Sequence, residues 1–176
     1  MVLGWVLVDF MLVDYDSQVL KTKAESVTDF SSLHSLIVDL KNVIKKESAF
    51  GAAAPQIGVS KSVVVVDPSC GSDESKSLVL INAKYEKVGE DTVISREGCL
   101  SLPNVVLNVT RNKVVKVTYQ NLSGEQLVEV LDGQTSIICQ HEIDHLNGVL
   151  IIDKASRHDR RSANSILKKG KNRAKK

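Results

Sequence analysis

Cysteines, aromatic residues and long apolar runs are all scarce in this chain of 176 residues. Three cysteines (Cys70, Cys99 and Cys139) cannot close a disulfide framework. That excludes a small disulfide-stapled secreted domain and points to a reducing compartment, with at least one thiol available for chemistry. Aromatics make up 4% of the residues, so a core must come from Val, Ile and Leu, which are plentiful. The apolar start, residues 1–8, stops at Asp9 and is too short to span a membrane. It also lacks the basic start and small-residue cleavage site of a secretory signal. It reads as a leading strand or an apolar extension, and Met11 offers a second candidate start. No internal repeat is present, and the length fits one compact domain.

The net charge of +2 hides an uneven distribution. Residues 154–176 carry ten Lys or Arg and one acid, Asp159, whereas the rest of the chain carries thirteen basic and twenty acidic residues. The basic end reads either as a solvated, frayed terminus or as an electrostatic tether to RNA or a ribosomal surface. No aromatic residue interleaves it, so base stacking is not expected there.

Apolar spacing predicts a helix over 29–47, capped by Ser31 or Ser32, with Leu33, Leu36, Ile37, Leu40, Val43 and Ile44 on one face. Residues 48–60, rich in Ala and Gly with one Pro, are expected to form a closely packed loop. The valine run of 62–67 predicts a buried strand, and 68–77 an exposed loop. Further strands are expected at 78–88, 91–96, 105–109, 113–120 and 126–130, with a turn at 121–124. A helix over 133–147 follows, then a weaker one over 155–169. Two or three helices with many antiparallel strands make an α+β fold, not a doubly wound sheet.

The most informative segment is His141-Glu142-Ile143-Asp144-His145, an H-E-x-x-H pattern. On a helix, His141 and His145 share one face, so both imidazoles can reach one divalent metal. Glu142 is offset to the side, where its carboxylate can take a proton from water instead of binding the metal. Asp132-Gly133 and Asn147-Gly148 supply the start and stop.

Two histidines leave such a site short of a ligand, because a catalytic centre of this type takes three protein ligands and keeps one position open. Cys139 lies two residues before His141, on the far side of the helix, and reads as a core thiol. Cys70 lies in a polar loop. Cys99 is the better candidate, in Glu97-Gly98-Cys99-Leu100-Ser101-Leu102-Pro103, where Gly98 would permit close backbone approach and Pro103 would stiffen the exit. On its own, such a cysteine is more often an ordinary buried one.

Three motifs together resemble the peptide deformylase family, over about Leu12 to Asp153. Glu97-Gly98-Cys99-Leu100-Ser101 matches E-G-C-L-S, and the helix matches H-E-x-D-H. Gly51-Ala52-Ala53-Ala54-Pro55-Gln56 resembles the end of G-x-G-x-A-A-x-Q. The resemblance implies antiparallel β-sheets packed around a central helix bearing the histidines, with a catalytic domain over 1–153 and a basic C-terminal helix or tail over 154–176. It implies removal of the N-formyl group from the formyl-methionyl end of new polypeptides, with release of formate. It further implies one divalent metal held by Cys99, His141 and His145, Fe²⁺ foremost, with Zn²⁺, Ni²⁺ or Co²⁺ able to take its place. Glu142 is then the general base and later the acid, and the Gln56 amide and Leu100 backbone N–H are the oxyanion donors. Gly51, Phe50, Ile137, Ile138 and Glu97 are expected on the substrate side. Arg111 also matches a family position, and either pairs with Glu97 in support of the site or lies at the surface.

The chain departs from the pattern at three places. Ala49 replaces the first glycine, Ala52 stands where a large apolar residue is usual, and Val106 stands where some bacterial relatives carry Arg. None touches a ligand or Glu142, so activity is expected, with substrate preference altered. Two other readings share part of the pattern. A zincin-type peptidase would take its third ligand downstream, where His158 is the only histidine, in a basic polar segment expected to be exposed. A non-enzymatic metal- or ribosome-binding relative would need neither Glu142 nor Gln56. The lack of a transit peptide and the short C-terminal region point to a cytoplasmic protein of a bacterium or phage-infected cell, monomeric and without membrane contact.

Overall fold

The computed structural model describes residues 12–174. The leading apolar segment and the Met11 start lie outside the described residues. The elements in chain order are α1 (His34–Glu47), β1 (Gly51–Ala53), β2 (Val63–Val66), β3 (Leu78–Lys87), β4 (Thr92–Gly98), β5 (Val106–Asn112), β6 (Val115–Gln120), β7 (Gln126–Leu131), α2 (Gly133–Leu146), α3 (Ile151–Lys154) and α4 (Arg157–Ala174). A five-stranded antiparallel sheet has the order β1-β2-β3-β6-β7, and β4 and β5 form a separate two-stranded sheet. The α+β expectation holds.

The valine run explains how the layers stack. Alternate residues of a strand face opposite sides of the sheet. Val63 and Val65 pack with Leu33, Leu36, Ile37, Leu40, Val43 and Ile44 of the α1 region. Val64 and Val66 pack with Ile138, Cys139, Ile143 and Leu146 of α2. A strand covered on both faces needs no polar alternation, hence four consecutive valines, all fully buried. Burying a side chain of this size stabilises by about 1.5–3 kcal/mol. The helix α2 is thus a central element, enclosed nearly all round.

Several boundaries differ from expectation, each for a local reason. The first helix starts at His34, not at 29, and neither Ser31 nor Ser32 caps it. Asp29 Oδ1 accepts both the Ser31 N–H (2.9 Å) and the Ser31 hydroxyl (2.6 Å), which ties this stretch into a turn that competes with helix. The expected loop 48–60 contains β1 and a 3₁₀ turn at Ala54–Ile57. All three residues of this strand are buried, so no alternation marks it in the sequence. Asn82, at φ 53°, kinks β3 where its register with β6 shifts, and its side chain holds the Val27 backbone through both N–H and C=O.

The C-terminal helix α4 extends to Ala174, past the expected 169. It buries Ala163 and Leu167 against Leu102, Val105, Leu107 and Val109. Gly148 ends α2 at φ 71°, and a Cβ there would come within 2.7 Å of the Lys21 carbonyl carbon, so only glycine allows this close crossing. No helix among the described residues is long and apolar enough to cross a membrane.

Candidate metal centre

The two histidines sit one turn apart on α2 with ring centroids 5.1 Å apart. Cys99 immediately follows β4, where the Leu102 N–H closes a turn on the Cys99 carbonyl at 2.9 Å. The ligating atoms of Cys99, His141 and His145 all lie within 4.8 Å of one another, with Cys99 Sγ 3.3 Å from His145 Nε2. Gly98 does not contribute as expected. It is the last residue of β4, and a Cβ on it would meet nothing nearer than the Val105 carbonyl oxygen at 3.9 Å.

The arrangement also selects protonation states. His141 Nδ1 lies 2.9 Å from Glu97 Oε2. A carboxylate oxygen only accepts, so Nδ1 is the donor to Glu97, and a neutral His141 held this way would present Nε2 to a metal. Burial alone would raise the Cys99 thiol, but the two histidines hold it well below the ordinary thiol range, which favours thiolate. One thiolate and two imidazoles suit Fe²⁺, Zn²⁺, Ni²⁺ or Co²⁺ better than Mg²⁺ or Ca²⁺. The donor set therefore fits a transition metal.

Glu142 is 4% exposed, and its Oε2 has no hydrogen-bond partner among the described residues. Burial pushes its carboxyl above the ordinary range, against the pull of His141 and His145. A carboxylate held ready for a proton is what a general base requires. Its side chain lies against Gly51, where a Cβ would come 2.8 Å from both Glu142 Cγ and Oε1. The glycine is thus needed to make room for Glu142, a packing role that the motif alone did not reveal. Gln56 is 1% exposed, and its Oε1 accepts the Ala53 N–H at 2.8 Å. That fixes the amide so that Nε2 points to Cys99 Sγ, 3.8 Å away.

The expected substrate side is brought together only in part. Leu100 adjoins Cys99 in the same loop, and Phe50 is 46% exposed beside Gly51. Ile137 is half-buried, but Ile138 belongs to the core beneath the sheet, with Ala53 and Val64. Glu97 requires a correction. It does not face a substrate, since Oε1 accepts from Arg111 Nε and Oε2 from Arg111 Nη2, both at 2.7 Å, with His141 also on Oε2. Burial alone would raise Glu97, yet the Arg111 and His141 contacts outweigh it and bring it down to about 2. Of the two readings of Arg111, the buried one applies, for it is 2% exposed. The remaining cysteines stand apart. Cys139 is fully buried on the other side of α2, its thiol pushed up to about 12 by burial, and Cys70 sits at φ 55° in the loop after β2. His158 is exposed. Ala49, which replaces the first glycine of the family pattern, does not take a positive φ, whereas its neighbour Ser48 does, at 51°.

A thiolate and two imidazoles beside a dry carboxylate are the equipment of a metal-dependent hydrolase. The polypeptide deformylase family profile matches residues 10–161, and the chain belongs to that family. A peptide deformylase from Thermotoga petrophila is 38% identical over 143 residues, covering 81% of this chain and 84% of its own. One from Desulforudis audaxviator is 37% identical over 148 residues, covering 84% and 94%. The structure of peptide deformylase from Plasmodium falciparum superposes with a TM-score of 0.86 at 29% identity, covering 90% of this chain and 94% of that one. A peptide deformylase from Synechococcus elongatus superposes at 0.83 and 34% identity, covering 92% and 88%.

Proposed function

We propose that this chain removes the formyl group from N-formyl-methionyl peptide ends in a bacterial cytoplasm, acting as a monomer with Cys99, His141 and His145 as the ligands of one Fe²⁺. The observation that carries this reading is the convergence of those three donors beside a buried Glu142 with one oxygen that has no partner among the described residues. Held by Cys99, His141 and His145, a divalent cation would supply Lewis acidity. Glu142 takes the proton of the attacking water on its free oxygen, then delivers it to the nitrogen of the leaving amine. The Gln56 amide, already aimed at the site, and the Leu100 backbone N–H donate to the oxyanion that develops on the formyl carbon's oxygen. Phe50, Ile137 and the Gly51 backbone receive the methionyl end. Glu97 keeps His141 in its metal-binding tautomer. Incubation with formyl-Met-Ala-Ser should give a product lighter by the formyl group alone, read by mass spectrometry. Internal cleavage of the peptide would instead support the peptidase reading.

In this reading the basic residues of α4 give the catalytic domain a charged face. Arg161, Lys168 and Lys169 are exposed on α4, away from the buried Ala163 and Leu167, and offer a cationic face to ribosomal RNA. Changing all three to Glu should weaken ribosome co-sedimentation at low salt while leaving turnover of free peptide unchanged. Equal co-sedimentation would remove the ribosome from the account.

A further inference from the structure

We propose that Lys154, together with Tyr85, is a positioning residue for His141, acting through a hydrogen-bonded chain that runs from the protein surface to the metal centre. Lys154 closes α3 with its side chain 31% exposed, and its Nζ lies 3.1 Å from Asp144 Oδ2. Tyr85, on β3, donates its hydroxyl to Asp144 Oδ1 at 3.1 Å and accepts from Lys154 Nζ at 3.4 Å. Asp144 Oδ2 also accepts from Arg111 Nη1 at 2.5 Å. The other two guanidinium nitrogens hold Glu97, and Glu97 holds His141 Nδ1.

The order of the links matters. A guanidinium is planar and rigid, so whatever anchors one of its nitrogens sets the direction of the other two. Asp144 is that anchor for Arg111, and Lys154 and Tyr85 are the anchors of Asp144. Charges alternate along the chain: Lys154 cationic, Asp144 anionic, Arg111 cationic, Glu97 anionic. Without Lys154, two buried carboxylates share one guanidinium, Arg111 is drawn toward Asp144, and its grip on Glu97 loosens. Lys154 is partly solvated, so its Coulombic contribution is screened and its effect is mainly one of geometry. The chain serves one ligand of the pair, because His145 Nδ1 is buried without a partner among the described residues. Neither Lys154 nor Tyr85 lies in any of the three motifs. Three separate elements (α3, β3 and α2) meet to make the contact.

The inference rests on the reading of His141 as a ligand, which is tested separately: His141→Ala should lose stoichiometric Co²⁺, and a variant that keeps it would refute that reading alone. The test of the inference uses full-length protein loaded with Co²⁺, as wild type, Lys154→Met, Lys154→Arg and Tyr85→Phe. Co²⁺ affinity is measured by chelator competition, and the visible ligand-field spectrum, kcat, KM and unfolding temperature are recorded. Lys154→Met should weaken Co²⁺ binding and lower kcat by about 3–10-fold, less than the about 10–100-fold cost of losing a partner that touches the ligand itself, because Lys154 lies three links beyond Glu97. It should also shift the ligand-field bands with KM unchanged, and Lys154→Arg should restore all three. A lowered unfolding temperature with native spectrum and affinity in Lys154→Met would mean that the contact is merely structural and would overturn the proposal. If Lys154→Met does not fold, Tyr85→Phe, which loses one hydroxyl, decides in the same way.

Discussion

Glu142→Ala should lower kcat by about 10³–10⁴-fold while leaving the metal in place, since proton transfer by one positioned group is worth up to about that factor. Glu142 is 4% exposed, its Oε2 lacks a partner among the described residues, and its carboxyl is raised by desolvation, so it is costly to keep charged unless a proton donor approaches. It lies beside the three donors but is not among them, so removing it takes away no ligand. Metal content by elemental analysis and turnover on a formyl-methionyl peptide should therefore separate cleanly. Loss of metal along with activity would make Glu142 a structural part of the centre. Unchanged turnover would end its assignment as base.

Arg111→Met should destabilise the protein by about 3–5 kcal/mol, the usual cost of removing one partner from a buried ionic network. Arg111 bridges two carboxylates, Glu97 and Asp144, whose side chains are 6% and 9% exposed. Taking it away leaves both with reduced compensation. The pH dependence carries a sign. Glu97 titrates at about 2 in the fold against an ordinary 4.5, so its stabilising contribution is fully present above 4.5 and is lost as pH falls toward 2. The stability gap between wild type and Arg111→Met should thus be widest at neutral pH and narrow through that window. Urea unfolding at several pH values measures it. A gap that stays constant between pH 7 and 3 would show that Arg111 acts by packing and not through Glu97.

The comparison of sequence with structure divides along the range of the interactions. The H-E-x-x-H spacing is local, and helical periodicity alone brings His141 and His145 to one face. Cys99 is remote in sequence, so its place rested on the motif resemblance, and the structure brings its Sγ to 3.3 Å from His145 Nε2. The four-valine strand and the apolar stripe of α1 are legible because burial imposes a pattern on residue type. What stayed hidden depends on contacts between distant segments. Glu97 was expected on the substrate side, with its pairing to Arg111 only one of two readings, because nothing in its own strand shows that Arg111, fourteen residues on, turns inward on the paired strand. Gly51 was expected to serve the substrate through its backbone, whereas its clearest constraint is the space it leaves for Glu142. The late start of α1 came from side-chain hydrogen bonding by Asp29, which competes with helix without disturbing the apolar spacing.

The central claim is that Cys99, His141 and His145 form one metal site that drives deformylation. The most direct measurement is formate release from formyl-Met-Ala-Ser by protein prepared anaerobically, at a series of measured metal contents. The account expects formate and free methionyl amine in equal amounts, at a rate proportional to bound metal up to one per chain. Full occupancy without formate, or formate release that does not depend on metal content, would contradict it.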